Sequence, residues 1–211
     1  EPSESEVFVE KVTPQNAAGL RHLLNEPYAG ITIGLVAAGL SWGLVNFGFL
    51  LWLPTNLGAL GLAEQANSII AQSAIFALPG AAVVIWLYHS WNSIKALVLF
   101  VFLTGLALLL FPMFYWFDSL SLATLSLAIA LLLVSASGII AMLIPYAAEI
   151  YPVQLRGTGA GIVAGSSKFG GILGAIFGVA GIFDHIGFSA FLITMALFAS
   201  ATLLINSGID T

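Results

Sequence analysis

The stretch that decides the fold is residues 148–183, AEIYPVQLRGTGAGIVAGSSKFGGILGAIFGVAGIF. It opens on a polar connector that carries Glu149 and Arg156. From Thr158 to Phe183 it is apolar and rich in glycine, with Lys168 as its one charged residue. Because a bilayer core of about 30 Å takes about 20 apolar residues as a helix, this stretch predicts a membrane-spanning helix.

Five more stretches on either side have the same character. The chain of 211 residues is 60% hydrophobic and 7% charged, whereas an ordinary soluble domain carries roughly 25% charged residues. The six predicted spans are Tyr28–Leu57, Ala66–Tyr88, Ile94–Trp116, Leu120–Ala147, Thr158–Phe183 and Gly187–Asn206. The sequence therefore predicts an all-α, multi-pass integral membrane protein with six transmembrane helices, and the lipid bilayer is its first partner.

Positive charges indicate how the chain is oriented. Lys11 and Arg21 precede the first span, Lys95 lies at the second connector, and Arg156 lies in the fourth. All four fall on one side of an alternating topology, and lysine and arginine favour the cytoplasmic side. We therefore expect both termini to be cytoplasmic.

Three segments are predicted along the chain. Residues 1–27 form a cytoplasmic loop, whose acidic start is expected to be disordered and whose residues 14–25 are expected to form a short amphipathic helix at the interface. Residues 28–206 are the six-helix unit, and residues 207–211 are a cytoplasmic tail. Since the chain opens on Glu1 with neither a methionine nor a signal peptide, we expect a piece of a longer protein, or a processed or re-engineered chain.

The composition also excludes several classes of function. The chain has no cysteine, so disulfides and thiolate metal sites are impossible. Five lysines and arginines spread along the chain make no basic patch for nucleic acid, and the net charge of -5 comes largely from the acidic start. The sequence holds no metal-ligand cluster, phosphate-binding loop or catalytic group of residues. We expect neither an enzyme nor a cofactor.

Glycine dominates the fifth span in two runs with a four-residue interval. These runs are Gly157-Gly161-Gly165 and Gly170-Gly174-Gly178. Small residues at this spacing let helix backbones approach closely. Tight packing alone explains the pattern, and so does a helix that slides or rocks against its neighbours during transport, and the two interpretations are compatible.

Lys168 is the most informative single residue. It lies ten residues into the fifth predicted span, about 15 Å along its axis, and near the face that carries Gly161 and Gly165. A lysine at the bilayer centre costs roughly 2.5 to 3.5 kcal/mol on insertion scales and normally marks an ion or substrate pathway. The alternatives are snorkelling to an interface, which the depth opposes, and a salt bridge, for which these spans hold no acid. We expect a role in substrate or ion handling.

The first span contributes a second group of candidates. Trp42, Asn46 and Phe49 share a face by their three- and four-residue spacing. An asparagine beside aromatic rings inside a membrane lines a polar cavity in one interpretation, and bonds across helices in the other. The residues do not decide between the two.

Two stretches carry a family resemblance. AEIYPVQLRGTGAG, residues 148–161, resembles the signature Glu-x-Tyr/Phe-Pro-x-x-x-Arg that sugar-porter and organic-acid branches of the major facilitator superfamily carry between their tenth and eleventh helices. Residues 46–57, which include WLPT, are similar to the seventh helix of the same group. The resemblance covers residues 14–206. It implies the C-terminal six-helix half (helices 7–12) of a twelve-helix fold, preceded by part of the central cytoplasmic loop.

The resemblance also implies roles for the connector charges. In the family, residues at the positions of Glu149 and Arg156 join a cytoplasmic charge network that latches the outward-facing state. The turn between the eighth and ninth helices usually supplies further charges to it. Here that turn reads WLYHSWNSIK, residues 86–95, and Lys95 is the basic residue left near Glu149.

KFGGI, residues 168–172, resembles a stretch in organic-anion transporters and in bacterial symporters for aromatic acids, which place a basic residue before x-Gly-Gly-Ile/Met. A buried cation also attracts a carboxylate. The sequence therefore favours a secondary active transporter that moves a small organic anion by alternating access, with Lys168 binding the carboxylate and Trp42, Asn46 and Phe49 lining the cavity. The expected location is the plasma membrane, in bacteria the inner membrane.

Since the resemblance implies only the C-terminal half of a transporter, it also implies a partner for that half. We expect an N-terminal six-helix half, in the same or another chain, or a homodimer. We expect the transport to be proton-coupled. Because these spans hold no acid or histidine for this, either the coupling acid lies in the other half or coupling is absent. The alternatives are a sugar or polyol transporter of the same superfamily and a non-transporting, half-length membrane partner protein.

Overall fold

The structure is a computed structural model that describes residues 15–117 and 121–208. A short helix α1 precedes six longer ones within these residues. The helices are α1 (Gln15–Leu23), α2 (Ala29–Ala59), α3 (Ala66–Ser90), α4 (Ser93–Trp116), α5 (Leu122–Ile150), α6 (Val153–Val179) and α7 (Ile186–Gly208), with a 3-10 turn at Ile182–Asp184. The helices α2 to α7 each contain a segment long and apolar enough to cross a membrane. The predicted all-α membrane fold with six spans is therefore confirmed.

Some of the predicted features lie outside the described residues. These are the acidic start of the chain up to Pro14, the predicted third connector at Asp118 and Ser119 with the first residue of the predicted fourth span, Leu120, and the tail from residue 209 onward. The short helix α1 lies where an amphipathic helix is predicted. Its Leu23 is fully buried, and its Gly19 faces Thr158 near the start of α6, so α1 packs against the end of the bundle.

The fourth connector is much shorter than the predicted Ala148–Gly157. The helix α5 runs to Ile150 and α6 begins at Val153, which leaves Tyr151 and Pro152 between them. A proline disfavours the helical conformation in the residue before it, and Tyr151 is extended, with φ -88 and ψ 139. Pro152 then caps α6, and its carbonyl oxygen accepts from the backbone nitrogen of Arg156. Glu149 and Arg156 therefore stand on the last and first turns of two helices.

The helix α2 is continuous but changes its winding midway. Regular α-helix at Ala29–Gly43 gives way to π-helix at Leu44–Phe49 and returns to α-helix at Leu50–Ala59. A π-turn holds one residue more than an α-turn, and such turns are frequent at functional sites. The side chains after Gly43 are therefore rotated away from the positions that an uninterrupted α-helix would give them.

The connectors alternate between the two ends of the bundle. Asn56, Trp116 and Asp184 line one cavity, so the first, third and fifth connectors meet at one end. At the other end Ser93 donates a hydrogen bond of 3.1 Å to Glu149, which joins the second and fourth connectors. This is the arrangement that an alternating six-span topology requires.

Candidate functional site

Lys168 stands at the middle of α6 and is exposed at the surface of the bundle. Its Nζ lies 5.8 Å from the centroid of the Phe47 ring, over the ring face. This distance is within the range of a cation–π interaction, about 6 Å. Within the described residues, Lys168 therefore contacts an aromatic ring on α2, and its side chain is exposed.

Phe47 links Lys168 to Trp42. The two rings meet edge to face with centroids 6.0 Å apart and an interplanar angle of 87°. Phe47 is 37% exposed, whereas Trp42 is 8% exposed and its Nε1 donates a hydrogen bond of 2.8 Å to the Ala136 carbonyl oxygen on α5. We call Lys168, Phe47 and Trp42 the Lys168 cluster. In this cluster the lysine contacts Phe47, Phe47 contacts Trp42, and the hydrogen bond to Ala136 fixes Trp42 against α5.

A glycine of α6 makes room for the Phe47 ring. A methyl group added at Gly171 would lie 2.8 Å from Cδ2 of Phe47. Because Gly171 follows Lys168 by three residues, it lies on the neighbouring turn of the same helix. The Phe47 ring therefore packs against the backbone of α6 at Gly171, one turn after the lysine.

Asn46 and Phe49, the other two residues that the sequence predicts for the site, have different surroundings. Asn46 lies within the π-helix and is half-buried. Phe49 is fully buried, and its ring packs against Phe111 of α4 with centroids 5.0 Å apart. The α-helical spacing that puts Phe49 beside Trp42 does not hold across the π-turn, and Phe47 occupies the exposed position against α6.

The second glycine run of α6 is packed tightly against α2. We call Gly170, Gly174 and Gly178 the packed run. A methyl group at Gly170 would collide with the carbonyl oxygen of Leu40, and one at Gly174 would lie 2.8 Å from the Gly48 nitrogen. At Gly178 the same space is filled by the indole of Trp52. These glycines let the two helix backbones touch, which fixes Phe47 beside Lys168.

The first glycine run has different surroundings. We call Gly157, Gly161 and Gly165 the open run. A methyl group at any of the three would meet no atom of the described chain within 4 Å beyond its own helix backbone and chain neighbours. The open run and Lys168 are both exposed on α6, so the bundle leaves this surface free.

The connector charges lie at one end of the bundle. Glu149 accepts the hydrogen bond from the Ser93 hydroxyl described above, and Lys95 is exposed two residues after Ser93 on α4. Arg156 is exposed on the first turn of α6. The geometry places an acid and two bases around the second and fourth connectors, with a serine as the described partner of the acid.

Tyr151 fixes these connectors to α2. Its hydroxyl shares a hydrogen bond of 2.9 Å with the Thr32 hydroxyl, and its ring meets Tyr28 edge to face. Gly159 leaves the space that the Tyr151 ring fills. Burial raises the pKa of the Tyr151 phenol above its ordinary value of 10.0, and the bond to Thr32 opposes that shift.

Sequence reasoning missed Phe47 and the support from Tyr151. The four-residue spacing that singles out Trp42, Asn46 and Phe49 assumes a regular α-helix, and no residue pattern in LVNFGF announces a π-turn. Tyr151 belongs to the recognised signature, but its partner Thr32 is 119 residues away. As for metals, the described residues hold no group of three His, Cys, Asp or Glu that could bind one.

Comparison with known proteins finds relatives that are named as transporters. The chain is 30% identical over 210 residues to a gallate transporter from Pseudomonas putida, a match that covers 95% of this chain and 44% of the relative. It is 31% identical over 162 residues to the 4-hydroxybenzoate transporter PcaK from Pseudomonas aeruginosa, covering 72% of this chain and 34% of that protein. The chain thus spans less than half the length of these relatives. No family model and no solved structure matches it.

Six spans with a cation set against aromatic rings fit one part of a membrane transporter. The names of these relatives agree with the resemblance to the major facilitator superfamily, and the six helices fit one half of such a transporter. The relatives of the chain are transporters rather than enzymes.

Proposed function

We propose that the chain is the C-terminal half of a secondary active transporter for small aromatic carboxylates. The observation that carries the proposal is Lys168, exposed at the middle of a membrane helix and held over an aromatic ring. The names of the relatives support it, since gallate and 4-hydroxybenzoate each carry a carboxylate on an aromatic ring.

The Lys168 cluster matches both ends of such a substrate. A charged lysine at the bilayer centre is costly, and a carboxylate beside it offsets that cost. The ring of the substrate lies against Phe47 and Trp42, because aromatic pairs gain about 0.5–1.5 kcal/mol beyond their buried area. Asn46, in the same π-turn as Phe47, supplies a polar group for ring substituents. Phe49 supports the site from the core.

The exposure of the open run is evidence that a partner half packs on α6. Transporters built from repeats bind substrate near the bilayer midplane between two halves and rock around that site. In this proposal the N-terminal half, or a second copy, packs on the open run and closes the cavity over Lys168. The acids of this chain in the stretch from Ile31 to Asn206 are Glu64, Asp118, Glu149 and Asp184. Those that the structure describes, Glu64, Glu149 and Asp184, stand in connectors or at a helix end, so this proposal assigns the coupling acid to the partner half.

The connector charges serve the cytoplasmic gate. Glu149, Arg156 and Lys95 lie on the side that positive charges predict to be cytoplasmic. The gate closes when a charged group of the partner half replaces Ser93 as the partner of Glu149. The protein works in the plasma membrane, in bacteria the inner membrane, with both termini in the cytoplasm.

The test compares an acid with its uncharged twin. Binding to the assembled transporter is measured with 4-hydroxybenzoate and 4-hydroxybenzamide, which differ in the carboxylate. We expect the acid to bind at least about tenfold tighter than the amide, since interactions with a charged group contribute about 1.5–3 kcal/mol. Lys168→Gln abolishes that preference and Lys168→Arg retains most of it. Phe47→Leu weakens both ligands about equally.

Arg21→Gln is the matched control, because it removes an exposed cation from α1, away from the cluster. If Lys168→Gln leaves the preference for the acid intact, the lysine does not bind the carboxylate. Stabilisation of the protein by sugars that survives Lys168→Gln would contradict the anion proposal and favour the sugar or polyol alternative.

A further inference from the structure

The cavity lined by Asn56, Trp116 and Asp184 lies at the opposite end of the bundle from Glu149. It measures about 660 Å³ and lies between the end of α2, the end of α4 and the start of α7. This size is typical of a small-molecule site, about 300–1,000 Å³. No lining residue comes from α6, so the cavity is distinct from the Lys168 cluster and from the open run.

The walls of the cavity are mostly apolar and lie at a helix boundary. Trp116 is the last residue of α4 and is 81% exposed. Phe188 and Phe191, on the first turns of α7, are also exposed. Tryptophan at the end of a membrane helix marks the level of the lipid headgroups. The cavity therefore opens at the membrane interface, where lipid is the most abundant ligand.

Three polar side chains interrupt the apolar wall. Asn56 is 5% exposed, and its Nδ2 is buried without a hydrogen-bond partner among the described residues. Buried polar groups in folded proteins nearly always have a partner, so this amide calls for an acceptor from a ligand. Asp184 and His185 are exposed at the cavity on the connector before α7. Asn56 thus contributes an unpaired amide donor within the cavity wall, and Asp184 contributes a carboxylate to the lining.

We propose that this cavity binds a phospholipid with an amine headgroup, of the phosphatidylethanolamine type. An acyl chain lies along Trp116, Phe188 and Phe191, and a glycerol ester carbonyl accepts from the Asn56 amide. The ammonium group of the headgroup pairs with the Asp184 carboxylate. An anionic headgroup without an amine is disfavoured at the same place, because it meets a like charge.

The test counts lipids that stay bound to the purified protein. Protein freed of lipid in detergent is titrated with phosphatidylethanolamine, phosphatidylglycerol and phosphatidylcholine of identical acyl chains, and bound molecules are counted by native mass spectrometry. We expect one phosphatidylethanolamine to bind about tenfold tighter than phosphatidylglycerol. Asp184→Asn removes this preference. Glu64→Gln, which removes another exposed acid from the same end of the bundle, leaves it unchanged.

A second pair of variants tests the cavity itself. Ala59→Trp places a large ring at an exposed wall position and is expected to displace the lipid, whereas Ala63→Trp, on the neighbouring exposed turn, does not. Equal binding of the three lipids, or equal effects of Asp184→Asn and Glu64→Gln, overturns the proposal. So does a melting temperature that responds to a soluble aromatic amine such as tyramine and to none of the lipids.

Discussion

The two glycine runs of α6 have the same spacing and opposite surroundings. The packed run meets the backbone of α2 and the indole of Trp52, with no space for a methyl group. The open run meets nothing in the described chain within 4 Å beyond its own helix and chain neighbours. Small residues at four-residue intervals thus indicate where another helix can approach closely, but they do not identify that helix. In this bundle one run holds the fold together and the other is left for a partner.

Gly170→Ala is expected to have the largest effect on the chain. The new methyl group collides with the carbonyl oxygen of Leu40, and a helix backbone cannot move aside as a side chain can. Overpacking of this kind costs about 1–3 kcal/mol, and we expect the upper end of that range. The free energy of unfolding in detergent measures it. Gly165→Ala, in the open run, is the control, and equal effects of the two variants would show that the packed run makes no close contact.

Gly159→Ala is expected to cost less, about 1–2 kcal/mol. Gly159 belongs to neither run, and the obstacle to a methyl group there is the ring of Tyr151. A ring on a connector can shift, at the expense of its bond to Thr32. Combining Gly159→Ala with Tyr151→Leu should therefore cost less than the sum of the single changes. Additive costs would show that the ring and the glycine do not interact.

Tyr151→Phe is expected to destabilise the chain by about 1 kcal/mol, because it removes the hydrogen bond to Thr32. Since burial raises the pKa of Tyr151 in the folded state above 10.0, the neutral phenol stabilises the fold fully below pH 10 and loses this effect as the pH rises through the folded pKa. The difference in unfolding free energy between wild type and Tyr151→Phe should therefore shrink above pH 10. A difference that stays constant to pH 12 would contradict this assignment.

The contrast between the runs also shows how far the sequence leads. Hydropathy is enough to predict six spans, because each helix must cover about 30 Å of hydrocarbon with its own residues. The four-residue interval predicts that α6 approaches a neighbour. The choice of α2 as that neighbour for the packed run depends on contacts between distant residues such as Leu40 and Gly170, and no local pattern contains them.

The sequence likewise predicts only part of the candidate site. Lys168 stands out because a charge in an apolar span is rare and costly. Its aromatic partner could not be chosen, because the π-helix at Leu44–Phe49 rotates Phe47 toward α6 and Phe49 into the core. Side-chain register depends on the winding of the backbone, and the winding of α2 is visible in the structure alone.

Gly161→Leu is expected to have the smallest effect on the chain and a large effect on the assembled transporter. A side chain at Gly161 meets open space, and leucine favours a helix over glycine by up to about 1 kcal/mol, so the unfolding free energy should stay equal or rise slightly. If a partner half packs on the open run, the same leucine holds the two backbones apart and uptake of 4-hydroxybenzoate falls at least about tenfold. The control is Ala199→Leu, which adds bulk at an exposed position of α7 and should leave uptake unchanged. Full uptake with Gly161→Leu would mean that no helix approaches the open run, and the partner would then have to meet the bundle elsewhere.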